Sequence, residues 1–266
     1  MNVSITIPIY NPNKEILKRV INSVKNQKYK GKFELICVDK KGGFSEQMNY
    51  GIKKSKYPIV VMLPQDCIPS SKYWLARLVE PFKDKKVIAA VSKITLPEEI
   101  WNSLSLFAKA LMIKEKGTNV SLLDGKGGAY RKSLMKKVGL FDEKTFKTAG
   151  EDFDIYMKLK DFGSVAYPNA EIIHMHPTNF VARLRKNYQY ANGYGAIVRI
   201  YRSKMYRWYV GFFHAFPGIG IFSQILGYPF KKGLSFFPFY IIASIANHPY
   251  YILGFWKGFF EGKQTV

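Results

Sequence analysis

Residues 59–69, Ile59-Val60-Val61-Met62-Leu63-Pro64-Gln65-Asp66-Cys67-Ile68-Pro69, run from an apolar strand into a short polar turn with one carboxylate at its tip. The apolar run stops at Pro64, which predicts a buried strand over residues 59–63. In an open α/β sheet ligands bind beyond the carboxyl ends of strands, so Asp66 is expected to face the crevice. A carboxylate in that position suits a divalent cation held against nucleotide phosphates. An Asp that ends a strand is also an ordinary turn former, and the turn takes its meaning from what flanks it.

Working outward, residues 3–9 read as a first strand that stops in the turn Tyr10-Asn11-Pro12-Asn13. Asn13 is placed to cap a helix through Asn26 with Ile16, Leu17, Val20, Ile21 and Val24 on one face. Residues 33–38 give a second strand ending at Asp39, and residues 45–54 a second helix. A helix over 72–82 and a strand over 87–92 continue the alternation. The pattern predicts an α/β fold with a mostly parallel sheet and helices on both faces. Further on, residues 98–113 read as a helix, followed by the Gly-rich stretch Gly125-Lys126-Gly127-Gly128. A short helix is expected at 133–138, and another at 153–162 behind the acids Glu151 and Asp152. A last strand spans 165–173, then His174-Met175-His176-Pro177 and a basic helix over 180–204.

The chain has 266 residues, 47% of them hydrophobic and 16% aromatic, which is ample for a core. Its formal net charge of +22 calls for an anionic partner: nucleic acid, acidic lipid or a phosphorylated ligand. Nucleic acid is disfavoured, because the basic residues before the tail are not interleaved with aromatics and no recognition motif is present. Cys37 and Cys67 stand alone, outside any metal-spaced cluster, and suit a reducing cytoplasmic setting. Cys37, inside an apolar strand, is expected to be buried. Apolar residues begin at Val3 with no charged leader, so no signal peptide is expected ahead of the first strand.

The region 205–266 differs in kind from the domain expected over 1–204. Two runs, 208–230 and 233–256, hold no Lys, Arg, Asp or Glu. Each approaches the ~20 residues needed to cross a bilayer. Pro217, Pro229, Pro238 and Pro249 interrupt them, and Lys231 and Lys232 form the joint. A spanning hairpin would put those lysines outside, against the positive-inside tendency. Broken helices in the membrane interface are therefore favoured over a transmembrane hairpin, with an apolar subdomain packed on the core as a third reading. The expected location is the cytoplasmic face of the cell membrane.

With Pro8-Ile9-Tyr10-Asn11, Asp39, Pro64-Gln65-Asp66 and Glu151-Asp152 in this order, the chain resembles glycosyltransferase family 2 over about residues 2–192. Its Gln-Asp turn looks like the rhamnosyltransferase-type branch. That resemblance implies a GT-A fold, a nucleotide-diphosphate sugar donor and inversion at the anomeric carbon. It implies that Pro8, Tyr10 and Asn11 approach the base and ribose, that Asp39 hydrogen-bonds the nucleoside, and that Gln65 belongs to the donor site. Asp66 matches the last acid of the family's D-x-D motif, where Mg²⁺ or Mn²⁺ would meet the diphosphate, with His174 as a further metal ligand and His176 a weaker one. Asp152 matches the general base, and Glu151 an orienting acid for sugar or acceptor. Acids at a helix start also suit the helix dipole, which is the plainer reading of that pair. Gly127 and Gly128 would let the backbone approach the donor sugar. Arg131 and the Arg183-Leu184-Arg185-Lys186 cluster would meet phosphate or form an exposed basic face.

The chain departs from the family pattern where Lys40 and Lys41 follow Asp39 and where Pro64 replaces the first acid of D-x-D. Loss of that acid weakens the expected metal site, and Lys40 is a candidate replacement charge. The Q-x-x-R-W motif of processive synthases is absent. The leading expectation is transfer of a single sugar to a membrane-associated glycan or polyprenyl-linked acceptor. A catalytically silent scaffold binding nucleotide or glycan is the alternative that Pro64 and Lys40 motivate.

Overall fold

Strand β1 (Val3–Pro8) is buried along its whole length, and the turn that follows ends in Asn13, whose Oδ1 accepts from the N–H groups of Glu15 and Ile16 at 3.1 Å each. That cap starts α1 (Lys14–Lys25) where the sequence predicts it, with Val20 and Val24 fully buried. β2 (Phe33–Val38), α2 (Phe44–Lys54) and β3 (Ile59–Met62) follow. Side chains of β3 alternate between two cores. Ile59 and Val61 join Val20 and Val24 of α1, while Val60 and Met62 join Met48 and Ile52 of α2. A strand that is apolar on both sides needs a helix over each face, and α1 and α2 supply them. The computed structural model describes residues 1–120, 125–175 and 179–265.

The chain continues through β4 (Cys67–Pro69), α3 (Trp74–Val79), β5 (Val87–Val91), β6 (Lys93–Leu96), α4 (Glu98–Ser103) and α5 (Leu106–Met112). Then come β7 (Gly117–Asn119), β8 (Gly128–Arg131), α6 (Lys132–Lys137), α7 (Glu151–Leu159), β9 (Ser164–Ala166) and β10 (Glu171–His174). The main sheet has the order β2-β1-β3-β8-β5-β9, and a second sheet the order β4-β10-β6-β7. β1 is parallel to β2 and β3, but β8 is antiparallel to both β3 and β5. The expected mostly parallel sheet is therefore mixed at its centre, because the Gly-rich stretch supplies a strand there.

The strand expected over 165–173 is two strands in different sheets, β9 and β10. Pro168 lies between them, with no N–H for a ladder, and its carbonyl instead accepts from Ala170 at 2.8 Å. Crossing from one sheet to the other also takes place at residues 64–66, between β3 and β4, and at Ser92, between β5 and β6. Cys37 is exposed, not buried as expected, because β2 is an edge strand of the main sheet.

Two compact units interleave in sequence: Met1–Leu96, Gly117–Glu143 and Glu151–His176 form one, which holds both sheets, and Pro97–Lys116, Lys144–Gly150 and Pro177–Val266 form the other. In the second unit the helix expected over 98–113 breaks at Leu104, where Ser105 Oγ caps α5 by accepting from Ala108 at 3.4 Å. Its remaining helices are α8 (Phe180–Tyr201), α9 (Trp208–His214), α10 (Ile219–Leu226) and α11 (Phe237–Glu261). α8 and α11 pack backbone to backbone. A Cβ on Gly258 would fall 1.8 Å from the Asn192 carbonyl oxygen, and one on Gly195 would fall 2.0 Å from that of Phe255. The first apolar run is broken as expected, into α9 and α10. The second is not: Pro249 lies inside the continuous α11, which its packing on α8 holds together. Among the described residues no single helix is long and apolar enough to cross a membrane. The pair α9 and α10, bent by 115°, passes that test together by length and composition.

Candidate active site

Because β1 lies between β2 and β3, strand order reverses there, and such a switch point is where α/β sheets bind ligands. The parallel register pairs Pro8 with Val38 and Thr6 with Met62. The turns carrying Tyr10 and Asn11, Asp39, and Gln65 and Asp66 thus leave the same edge of the sheet. Two glutamines fix the first of these turns. Gln47, nearly fully buried on α2, accepts from the Ile9 N–H at 2.9 Å and donates to the Ile9 carbonyl at 3.3 Å. Gln65 does the same for Tyr10, accepting at 2.8 Å and donating at 2.7 Å. The backbone of Ile9 and Tyr10 is held as a neighbouring strand would hold it. Asn11 then adopts φ 41, the left-handed region that Asn tolerates better than most residues. Pro8 is buried at the strand end, the Tyr10 ring is 70% exposed, and Asp39 is exposed. Gln65, expected among the donor contacts, has its carboxamide engaged by this turn.

Asp66 and His174 meet because β4 pairs antiparallel with β10, with His174 opposite Cys67 and the Met175 N–H donating to the Asp66 carbonyl at 2.9 Å. His174 Nε2 lies 3.5 Å from Asp66 Oδ2. The Cys67 thiol lies 3.7 Å from Asp66 Oδ1, and one ligand atom from each of the three residues falls within 4.8 Å of the others. Burial works to raise the Asp66 pKa, but the hydrogen bond and charge of His174, the Asp66 backbone N–H and the Lys126 ammonium outweigh it. The carboxyl therefore titrates below its ordinary range. A carboxylate oxygen and an imidazole nitrogen can both ligate a divalent cation, and Mn²⁺ accepts such a mixed oxygen-nitrogen set more readily than Mg²⁺ does. The Cys67 thiol is buried and soft, a poor ligand for Mg²⁺.

Gly127 and Gly128 have their explanation in the sheet. Gly127 takes φ +71, its N–H donates to the Met62 carbonyl at 2.9 Å, and a Cβ would fall 2.7 Å from Ser92 Oγ. Gly128 is a buried residue of β8. Arg131 is a correction to the expected phosphate ligands. Its guanidinium donates to the carbonyls of Val87 at 2.7 Å, Phe82 at 3.1 Å and Asp84 at 2.7 Å, and lies over the Phe82 ring. Neither is Arg183 on an exposed basic face: it is buried and paired with Glu115 at 2.8 Å. Lys40 lies 3.8 Å from Glu46. His176 lies outside the described residues.

Glu151 and Asp152 open α7, as the sequence predicts for acids at a helix start. Glu151 is buried, and Asp152 Oδ1 accepts from the Phe153 N–H at 2.8 Å. Just upstream in the chain, Gln264 Oε1 collects the N–H groups of Lys147 at 2.8 Å, Thr148 at 2.6 Å and Ala149 at 3.1 Å. Sequence reasoning missed Gln47, Cys67 and Gln264. No periodicity marks a buried carboxamide, and only the Asp66-Cys67 adjacency hinted at the thiol.

A family model described as glycosyltransferase-like family 2 matches residues 2–193. The chain belongs to the family 2 glycosyltransferases. No curated protein sequence matches it. Among solved structures the glycosyltransferase is similar to a mannosyltransferase from Pyrobaculum calidifontis, solved in complex with GDP-Man and Mn²⁺. The two share 14% identity with a TM-score of 0.56, over 93% of this chain and 86% of that one. The catalytic domain of Drosophila β1,4-galactosyltransferase 7, in complex with xylobiose, matches at 13% identity and a TM-score of 0.44, over 66% and 71% of the two chains. The fold of this glycosyltransferase is GT-A, an α/β architecture accompanied by a C-terminal helical region.

Proposed function

We propose that this glycosyltransferase inverts the anomeric centre as it moves one sugar from a nucleotide-diphosphate donor to a membrane-associated glycan or lipid-linked acceptor. One observation carries the reading: an acid-imidazole pair, Asp66 and His174 at 3.5 Å, follows β3 beside a backbone turn clamped at Ile9 and Tyr10. In it, Pro8, Tyr10 and Asn11 receive base and ribose, and Asp39 accepts hydrogen bonds from the nucleoside. Asp66 and His174 would hold Mg²⁺ or Mn²⁺, with Mn²⁺ the better match to an oxygen-nitrogen pair. A cation bound there offsets the charge of the departing diphosphate. The mannosyltransferase of similar fold was solved with GDP-Man and Mn²⁺, which makes guanosine diphosphate sugars the first donors to test.

Inversion asks for one carboxylate that takes the acceptor hydroxyl proton as its oxygen attacks the anomeric carbon. Asp152 has that role, and Glu151 orients sugar or acceptor. Single-turnover transfer by Asp152→Asn tests the base. Transfer should fall about 10²- to 10⁴-fold, with stabilisation of the protein by donor nucleotide retained. Undiminished transfer refutes the assignment.

The proposal extends to the cytoplasmic face of the membrane. α10 exposes Ile219, Phe222 and Leu226 at 56%, 64% and 66%, on one face at spacings of one and two helical turns. α11 adds exposed Ile242, Ile245 and Leu253, and exposed Lys231 lies between the two helices in the chain, whereas the Lys232 ammonium donates to the carbonyls of Lys114 and Lys116. Apolar faces flanked by cations suit insertion among anionic headgroups.

A further inference from the structure

Within the second unit, a cavity of about 390 Å³ opens among α5, α8, α9, α10 and α11. That volume falls in the range of roughly 300–1,000 Å³ typical of small-molecule sites. Its walls are aromatic and amide-bearing. Tyr190, Tyr194, Tyr240 and Tyr251 contribute ring surface. Asn187 Nδ2 donates to Asn247 Oδ1 at 2.7 Å, a bridge that leaves Asn187 Oδ1 as acceptor and the Asn247 amide as donor for a ligand. Ser244 lines the cavity at 1% exposure, and its Oγ has no hydrogen-bond partner among the described residues.

Charge narrows the ligand further. Among the described residues Lys114 is the one lysine or arginine in the lining, its ammonium 5.9 Å from the Tyr240 ring centroid. His214 is held neutral, its pKa lowered to about 4 by burial, with the charges of His248 and Lys114 adding to the effect. Phosphate sites gather several charged donors, usually including Arg, and this lining does not. Flat aromatic faces next to amides and a hydroxyl match a ring that has apolar C–H faces and a rim of hydroxyl groups.

We infer that this cavity binds a neutral sugar ring of the acceptor glycan. The inference rests on the acceptor reading above. Gln224 and Tyr240, both in the lining, come from α10 and α11, the helices whose outer residues are proposed to meet lipid, so a membrane-borne glycan is the natural source of that sugar.

Saturation-transfer NMR on the full chain tests it, with methyl mannoside, methyl glucoside, methyl galactoside and methyl N-acetylglucosaminide as probes. At least one should show transfer to its ring protons, competed by its own free sugar and not by inorganic phosphate. Tyr190→Ala, at a side chain already 40% exposed, should weaken binding about fivefold, and Asn187→Ala should weaken it similarly. Thermal stabilisation by nucleoside diphosphates should be unchanged in both. Absence of transfer from every glycoside, equal transfer in both variants, or competition by phosphate overturns the inference. Failure of the donor reading would appear separately, as no stabilisation of the wild-type chain by any nucleoside diphosphate.

Discussion

Gln47 and Gln65 clamp the turn after β1, each giving one of its backbone residues both a donor and an acceptor, while the Val38 carbonyl of β2 also accepts from the Ile9 N–H at 2.8 Å. Gln65→Ala removes two hydrogen bonds at a partly exposed site, worth about 0.5–1.5 kcal/mol each. It should lower stability by about 1–3 kcal/mol while raising the donor KM by up to about tenfold, as read from initial rates against donor concentration. Asp66 was legible in the sequence because a carboxylate just past a buried strand can be recognised locally. That His174 joins it was expected only from the family resemblance and not from local pattern, since the contact depends on the antiparallel register of β4 and β10. His214 supplies a pH dependence. Its pKa falls from 6.5 to about 4 in the folded chain, so between those values the unfolded chain takes up a proton that the folded one refuses. Stability should fall on acidification through that window, and the urea midpoint of His214→Gln should depend less on pH there. Asp66 acts in the same direction at lower pH: its depressed pKa contributes stability above 3.8 that is lost as pH falls through the folded value.

Packing of α8 on α11 shows what an element needs beyond its own propensity. α11 contains Pro249 and two glycines, Gly254 and Gly258, which weaken an isolated helix, yet it persists over 25 residues. The same glycines let the two backbones touch. Gly258→Ala would drive a Cβ into the Asn192 carbonyl and should cost about 1–3 kcal/mol or more. Leu253→Ser, at an exposed site on the same helix, should stay within about 0.5 kcal/mol. Denaturant midpoints compare the two. Strand β8 illustrates the opposite difficulty. Gly128, Ala129, Tyr130 and Arg131 carry the turn-like signal of a Gly-rich stretch, and only the two neighbours β3 and β5 make them a strand. α1, by contrast, was legible from its cap and its apolar period, because both are properties of contiguous residues.

For the molecule as a whole, the net charge of +22 and the exposed apolar faces of α10 and α11 make a joint prediction. The protein should cosediment with vesicles containing anionic lipid, less so as salt screens the attraction. Phe222→Ser combined with Leu226→Ser should weaken that binding several-fold without a shift in thermal midpoint, since both side chains are exposed. Equal binding by the double variant would remove α10 from the proposed contact. The linear chain by itself determined the strand–helix alternation and the ordered acids after successive strands. Each of these is written in local period, caps and composition. Tertiary structure alone decided the mixed centre of the main sheet, the splitting of residues 165–173 between two sheets, the glutamine clamps, and the commitment of Arg131 to backbone carbonyls. All of these turn on register and burial between segments far apart in the chain, and no local pattern specifies which distant partner a strand or a side chain will meet.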